Sequence, residues 1–390
     1  MRPLRVLQVS AYSFAQFGGV QTHVLDLSRA LRQRGHEVRT VGPGPTSGHP
    51  EAYALGRAKR VGLAGTRFEV TSVDNAAMAG FSADMASWRP DIVHVHGIWV
   101  PFLPLQILRT VKAARVVTFH DTTAPTITGA VMRFAFRRIS RRILDHVDAS
   151  IAVSSSPLAH IRSGPSGMSP VIIPPVTDLA PFAKLTDTRS DRQHHVIYWG
   201  RLEPRKNIAV LLRAIELIYS KKTSHQYQTQ LPRFTIAGSG PEEVMVQQAA
   251  SRLGPDILNY VPSHDGPALL ELISSSNMCV FPAQYGESFG IVLVEALASG
   301  RLVIAAANAG YSGVLTGPGQ ELLFPPADSQ ALADKILSYL GDEITFRKLT
   351  GWGRKHAEQY DVTARVKDFE GLYRAAMVQR SKREGSGNHD

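Results

Sequence analysis

The sequence predicts an α/β protein of two facing Rossmann-like domains, and three observations carry that expectation. Short apolar β-rich runs alternate with helical patterns along nearly the whole chain, as βα units around parallel sheets require. The runs fall into two sets: residues 4–10, 91–97, 115–120 and 150–154, then residues 196–200, 234–238, 277–282 and 302–306. Between the sets, Pro170-Val171-Ile172-Ile173-Pro174-Pro175-Val176-Thr177 ends a strand in paired prolines, which continue neither a ladder nor a helix. A polar stretch over 184–195 follows, and the hinge is expected there. The resulting division is a first domain over 1–177, a second over 178–360, a separate helical element over 361–380, and a polar tail over 381–390 that reads as disordered.

Composition supports two cores. At 390 residues, 44% hydrophobic, the chain is long enough to bury more than one. Its one cysteine, Cys279, lies in the apolar run Asn277-Met278-Cys279-Val280-Phe281 and reads as a core residue, which excludes an intrachain disulfide or a cysteine zinc cluster. The N-terminus enters a strand-like run without the charged and apolar regions of a signal peptide, and no apolar run reaches the ~18 residues that span a bilayer. A cytoplasmic protein is expected. The net charge of +10, from 43 Lys+Arg against 33 Asp+Glu, calls for an anionic partner or surface. Nucleic acid is disfavoured because no zinc finger, RNP aromatic motif or basic zipper is present.

Three motifs carry chemistry. The first strand runs into Gly18-Gly19 and then a helix with Val24, Leu27, Ala30 and Leu31 on its apolar stripe. A strand, a glycine pair and a helix N-terminus aim backbone N–H groups and the positive helix end at an anion, although the pair is not a dinucleotide fingerprint. The second motif, Gly200-Arg201-Leu202-Glu203-Pro204-Arg205-Lys206-Asn207, follows the first strand of the second half, where a doubly wound sheet binds its ligand. Arg201 and Lys206 there could neutralise a diphosphate. The third is Tyr285-Gly286-Glu287-Ser288-Phe289-Gly290-Ile291-Val292-Leu293-Val294-Glu295-Ala296-Leu297. A helix beginning near Ser288 would separate Glu287 from Glu295 by roughly 12 Å, which suits gripping two ends of an extended ligand rather than flanking one bond. The amides of Ser288, Phe289 and Gly290 would point into the same mouth.

In order, Gly18-Gly19-Val20-Gln21-Thr22-His23-Val24, Thr118-Phe119-His120, Gly200-Arg201 and the stretch from Glu287 to Ala296 resemble the family-four retaining glycosyltransferases of the GT-B fold. Within that family the chain is most similar to the bacterial phosphatidylinositol mannosyltransferases. The resemblance covers nearly the whole chain. It implies a C-terminal helix crossing back to the first domain, and a nucleotide-sugar donor, GDP-mannose or a UDP-hexose, with no cofactor and no metal. It implies further that Glu287 and the amides from Ser288 to Ile291 hold the sugar, that Glu295 binds the ribose, and that Arg201, Lys206, Gly18 and Gly19 serve the diphosphate. Gln21, Arg67 and His120 fall on the acceptor side, with His120 beside the transferred sugar. The base is expected near residues 260–265. Three departures stand out: Pro175-Val176 replaces an Asn-Gly pair, Gly313 takes the place of a glutamate, and the acceptor-side segment Val61-Gly62-Leu63-Ala64-Gly65-Thr66-Arg67 lacks the Tyr-Asn-Gly stretch of the lipid mannosyltransferases.

Residues 131–144 set Arg133, Arg137, Arg138, Arg141 and Arg142 on one half of a helical wheel and Met132, Ala135, Phe136, Ile139 and Ile143 on the other. Phe134 and Leu144 fall within the arginine half. Such a face suits an anionic membrane surface, or else is the solvated side of a packed helix. The resemblance, together with this face, implies a membrane-lipid acceptor such as a phosphatidylinositol-type precursor. A soluble saccharide or metabolite acceptor, a nucleotide-sugar epimerase and a noncatalytic binding module are the alternatives.

Overall fold

The structure is a computed structural model that describes residues 2–15, 18–45, 52–63, 66–100, 102–123, 126–163, 167–185, 194–220, 231–262 and 266–386. Packing divides the chain into two units, Met1–Asp178 with Tyr360–Asp390, and Leu179–Gln359. The division falls ahead of the polar stretch where the hinge was expected, because a short helix, α6 (Ala180–Ala183), packs against the second unit's own helix α10 (Ile291–Ala298).

The first unit runs β1 (Arg5–Ser10), α1 (Gly19–Gln33), β2 (Glu37–Gly44), β3 (Ala52–Arg57), β4 (Lys59–Leu63), β5 (Thr66–Val70), α2 (Asn75–Trp88), β6 (Ile92–His96), α3 (Leu103–Thr110), β7 (Ala114–Phe119), α4 (Ile127–Leu144), β8 (Ala149–Ala152), α5 (Ser155–Leu158) and β9 (Val171–Ile172), and takes in the last helix, α14 (Val362–Ser386). Its main sheet has the order β3-β2-β1-β6-β7-β8-β9, while β4 and β5 pair as a separate antiparallel ribbon. Every pairing in the main sheet is parallel, so helices must cover both faces. Leu7, Val9, Val93, Val95, Val117 and Phe119 pack on one face with Phe81 and Met85 of α2 and Ile107 of α3. On the other, Leu4, Val6, Ile92 and Val116 meet Leu27 and Leu31 of α1 and Val366, Phe369 and Tyr373 of α14. That second face turns polar toward the carboxyl ends of the strands, where Gln8, His94, His96 and Thr118 stand at successive register positions.

The second unit holds β10 (His195–Trp199), α7 (Ile208–Ser220), β11 (Arg233–Ala237), α8 (Glu243–Leu253), β12 (Leu258–Val261), α9 (Gly266–Ser274), β13 (Met278–Phe281), β14 (Leu302–Ala306), α11 (Ala309–Val314), β15 (Leu323–Phe324), α12 (Ser329–Leu340) and α13 (Glu343–Ala357). Its sheet is parallel throughout with the order β12-β11-β10-β13-β14-β15. The order reverses between β10 and β13, and a crevice at such a switch point is where doubly wound sheets bind ligands.

Both sheets are parallel and Rossmann-like, as the two sets of runs predict. Cys279 on β13 is fully buried, which pushes its thiol up to about 12. The tail departs from expectation: α14 continues helical through Ser381 to Ser386, and residues 387–390 lie outside the described part. No helix among the described residues is long and apolar enough to cross a membrane.

Candidate active site

In the second unit two loops meet at the switch point. The loop after β10 makes a short 3-10 turn over Pro204–Lys206 and ends on Asn207 in the left-handed region at φ 54°. The loop after β13 approaches it, and Gln284 N–H donates to Arg205 C=O at 3.0 Å. Arg205 Nη1 then reaches Gly286 C=O at 3.0 Å and Glu287 Oε1 at 2.7 Å, while Lys206 Nζ binds the same Oε1 at 2.8 Å. Arg205 Nε pairs with Glu203 Oε2 at 2.9 Å, and Arg201 Nη1 with Glu203 Oε1 at 2.9 Å. The result is an alternating chain Arg201–Glu203–Arg205–Glu287–Lys206, three cations against two carboxylates, with a net positive charge. Four of these side chains are 10–13% exposed, but Arg201 is 49% exposed and forms the accessible end.

Burial pushes the Glu287 carboxyl up, yet the attraction of Lys206 and Arg205 outweighs it and the net shift is downward. Burial also draws Lys206 below its usual range, more than Glu287 restores it. A largely buried cluster that holds a carboxylate charged among three cations suits an anionic ligand whose other end is gripped by an acceptor of hydrogen bonds.

The helix expected to begin near Ser288 begins at Ile291, with Gly290 at its N-cap at φ 107°. The cause is α11. Asn308 caps that helix by accepting from Tyr311 N–H at 2.9 Å, and its Nδ2 donates to Ala283 C=O at 2.8 Å, tying α11 to the exit of β13. Gly310 consequently lies so near the loop that a Cβ there would stand 2.3 Å from Glu287 O and 2.9 Å from Phe289 N, and a Cβ on Gly290 would stand 2.6 Å from the Tyr311 ring. Residues 287–290 are thus a loop held in place from outside. Glu287 lies in that loop, Phe289 and Gly290 are buried, Ser288 and Ile291 are half-buried, and Glu295 stands half-buried on α10. Gly313, one step past Tyr311 and Ser312, has no neighbour around its Cβ direction. Of the base-recognition stretch, Tyr260 on β12 donates to Gly238 C=O at 3.0 Å, and residues 263–265 lie outside the described part.

In the first unit, Gly18 is the extended N-cap of α1 and Gly19 its first helical residue, with no acidic side chain in the first turn. A Cβ on Gly18 would stand 2.6 Å from Gln21 Oε1. Gln21 Nε2 donates to Ser13 C=O at 3.2 Å. Arg67 lies on β5, and its side chain is outside the described part.

His120 follows β7 directly and is buried with three other histidines. Residues two apart on a strand share a face, so His94 and His96 of β6 point to the same side; sequence reasoning gave them no role. His96 Nδ1 lies 3.0 Å from His120 Nε2, and His23 of α1 flanks both rings at 5.3 and 5.6 Å. One nitrogen from each of His23, His96 and His120 falls within 4.8 Å of the others, a spacing that also suits a metal ion. The hydrogen bonds argue for protons there. His23 Nδ1 lies 2.9 Å from Val176 N–H and 3.3 Å from Val176 C=O, and His96 and His120 share a proton between them. Burial pushes His23 down to about 4 and holds His96 and His120 well below the usual imidazole range.

Helix α4 starts where Thr126 accepts from Gly129 N–H at 3.1 Å. Its buried stripe is Ser140, Ile143 and Leu144, with Met132, Arg133 and Phe136 half-buried. Phe136 stacks on Trp99 at 4.4 Å. The wheel therefore needs correcting: Leu144 is in the core, whereas Ala135 and Ile139 are exposed with Arg137, Arg138, Arg141 and Arg142. The rotation follows from Ser140, whose hydroxyl accepts from Arg162 N–H at 3.2 Å and so turns inward. Phe134 is 63% and Val131 66% exposed, and the Arg138 guanidinium lies 5.8 Å from the Phe134 ring.

Two parallel Rossmann-like units, one bearing a cationic mouth at its switch point, are the GT-B glycosyltransferase architecture, and comparison with known proteins agrees. The family described as Glycosyltransferase Family 4 matches residues 17–180, and that described as Glycosyl transferases group 1 matches residues 186–356. A phosphatidyl-myo-inositol mannosyltransferase of Propionibacterium freudenreichii subsp. shermanii is 33% identical over 325 residues, 80% of either chain. One from Mycobacterium leprae is 27% identical over 388 residues, covering 97% of this chain and 99% of its own. Among solved structures, sucrose-phosphate synthase from Thermosynechococcus elongatus gives a TM-score of 0.71 at 23% identity, covering 95% of this chain and 98% of that one. Anabaena HepE in complex with UDP and glucose gives 0.71 at 16% identity, covering 94% and 98%. The chain belongs to glycosyltransferase family 4.

Proposed function

We propose that this glycosyltransferase moves mannose, with retention, from GDP-mannose to a phosphatidylinositol-type lipid at an anionic membrane surface. The observation that carries the donor side is the ion-pair chain from Arg201, its accessible end, through Glu203, Arg205 and Glu287 to Lys206. In this reading Glu287 accepts hydrogen bonds from sugar hydroxyls and Glu295 accepts from the ribose. Arg201 and Lys206, with the first-turn amides of α1 after Gly18 and Gly19, meet the diphosphate as charge builds on it during bond breaking, where fixed cations stabilise the leaving group without a metal. His120 stands beside the transferred sugar, with Gln21 and Arg67 toward the acceptor. The lipid acceptor is supported by the named relatives and by α4, whose exposed Phe134 and Val131 lie among Arg137, Arg138, Arg141 and Arg142. Exposed arginines near an anionic surface contribute on the order of 1 kcal/mol each, and apolar burial adds to them.

A screen of sugar nucleotides for hydrolysis and transfer, run against total membrane lipid extract, tests donor and acceptor together. The expected result is GDP-mannose-dependent labelling of an inositol lipid. Changing Arg137, Arg138, Arg141 and Arg142 together to glutamine should abolish binding to anionic vesicles and transfer to lipid, with donor hydrolysis little changed. Wild-type transfer by that variant would return α4 to a solvated face and favour a soluble acceptor.

A further inference from the structure

Beneath α14 a row of buried polar side chains joins the C-terminal helix to His120. Gln8, fully buried on β1, stands at its centre: its Nε2 donates to Tyr373 Oη at 2.9 Å, and its Oε1 lies 2.8 Å from His96 Nε2. A carbonyl oxygen only accepts, so His96 Nε2 carries that ring's proton. Burial keeps both His96 and His120 neutral, with one proton apiece. His96 Nδ1 is then a lone pair, and the 3.0 Å bond between His96 Nδ1 and His120 Nε2 has to be donated by His120. What His120 has left is an unprotonated Nδ1.

The same Gln8 orientation sets the other arm of the row. Tyr373, having accepted from Gln8, donates to His94 Nδ1 at 2.8 Å, and His94 Nε2 donates to Thr118 Oγ1 at 2.7 Å. Reversing the Gln8 carboxamide would reverse every proton in the row, and His120 would then present an N–H. Of the three ring members, His94 and His96 are fully buried while His120 retains 8% exposure, so the row opens outward only at His120.

We propose that Gln8, oriented by Tyr373, is a positioning residue that fixes the tautomer of His120, so that His120 presents a hydrogen-bond acceptor and meets a hydroxyl group of the sugar or acceptor rather than a phosphate oxygen. This deepens, and rests on, the placing of His120 beside the transferred sugar. A leucine would fill the Gln8 site between Val6 and Ser10 on this face, but it would leave Tyr373 and His96 without the donor and the acceptor that the carboxamide presents to them.

Nitrogen-15 spectra of histidine-labelled wild-type protein, with the His120 signals identified by their loss in His120→Ala, give the tautomer without perturbing the row. A pyridine-type Nδ1 and pyrrole-type Nε2 on His120 are expected; the opposite pattern overturns the proposal. In Gln8→Glu the carboxylate can only accept and also favours a second proton on His96, so His96 should donate to His120 and move the latter's proton to Nδ1. Tyr373→Phe removes the partner that holds the amide, and both patterns should appear. For Gln8→Glu, kcat should fall roughly fivefold to tenfold, the loss of one hydrogen bond in the reacting complex, with KM for the donor unchanged. An unchanged His120 pattern in a folded Gln8→Glu protein also overturns the proposal. Full transfer by His120→Ala would instead remove His120 from the functional reading and leave the tautomer assignment standing, so the two failures are distinguishable.

Discussion

Replacing Glu287 with glutamine keeps the shape of the side chain and deletes its charge, leaving three cations of the ion-pair chain against the single carboxylate of Glu203. Arg205 and Lys206 are each 13% exposed, so the loss is close to that of a buried pair broken on one side, about 3–5 kcal/mol. For a unit the size of Leu179–Gln359, 1 kcal/mol moves Tm by about 2–4 °C, which predicts a fall of roughly 6–20 °C in that unit's transition. On the proposed donor reading, a nucleoside diphosphate would supply the missing negative charge. At a free concentration of about 100 times Kd a ligand of the folded state adds about 2.7 kcal/mol, so the diphosphate should recover a large part of the loss. Differential scanning calorimetry with and without diphosphate, beside titration calorimetry and a transfer assay, measures all three quantities. Expected are a depressed Tm, diphosphate affinity equal to or above wild type, and collapsed transfer. A Tm within about 2 °C of wild type, or weakened diphosphate binding, would refute the charge argument.

Other expectations follow from the same geometry. Glu287's folded value lies below its ordinary 4.5, so the unfolded state binds more protons between the two values; its contribution is full above the ordinary carboxyl range and is lost as pH falls through the folded value. Calorimetry of Glu287→Gln should show that part of the second unit's acid dependence gone. His23 and His195 are each pushed down from 6.5 to about 4, chiefly by burial, and sit in different units. Both transitions should therefore weaken as pH drops from 6.5 toward 4, and a flat Tm over that window would contradict the assignment. Gly310→Ala places a methyl against Glu287 O and Phe289 N, an overpacking of about 1–3 kcal/mol; donor hydrolysis should drop while diphosphate-free folding of the first unit is unaffected. Turnover should survive chelation, and strict dependence on an added divalent ion would mean that the diphosphate is neutralised by something other than Arg201 and Lys206.

Much of the architecture was legible because a parallel strand covered on both sides leaves a continuous apolar run, and eight such runs were visible. The strand ends of the site were legible for the same reason: Gly200 to Asn207 and Tyr285 to Glu295 follow directly on strands. What sequence could not supply was the partner of each charge. Arg205 looked like one more basic loop residue, yet it links Glu203 to Glu287 because a short 3-10 turn swings it across to the neighbouring loop. The late start of α10 was hidden because its cause, Asn308 and Gly310, lies on another helix. The pair His94 and His96 did carry a signal, two polar residues at strand spacing in an apolar run, and its meaning depended on Gln8 and Tyr373, 86 and 279 residues from His94 in sequence.

Because the first unit includes residues from both ends of the chain, the order of synthesis matters to how this protein is made. On a ribosome, β1 to β9 emerge early, but the sheet face bearing Leu4, Val6, Ile92 and Val116 lacks the α14 side chains Val366, Phe369, Tyr373 and Ala376 until the second unit has been made in between. The inserted Leu179–Gln359 segment, in contrast, is complete once it clears the exit tunnel. The nascent chain thus carries an incompletely covered apolar face while the second unit is being made, the kind of surface that chaperones hold and that aggregates when they do not. A premature stop codon just before Val362 would leave the part of that face beneath α14 uncovered permanently, with only α1 packed on the rest, and the truncated product should accumulate in inclusion bodies although the whole second unit is encoded.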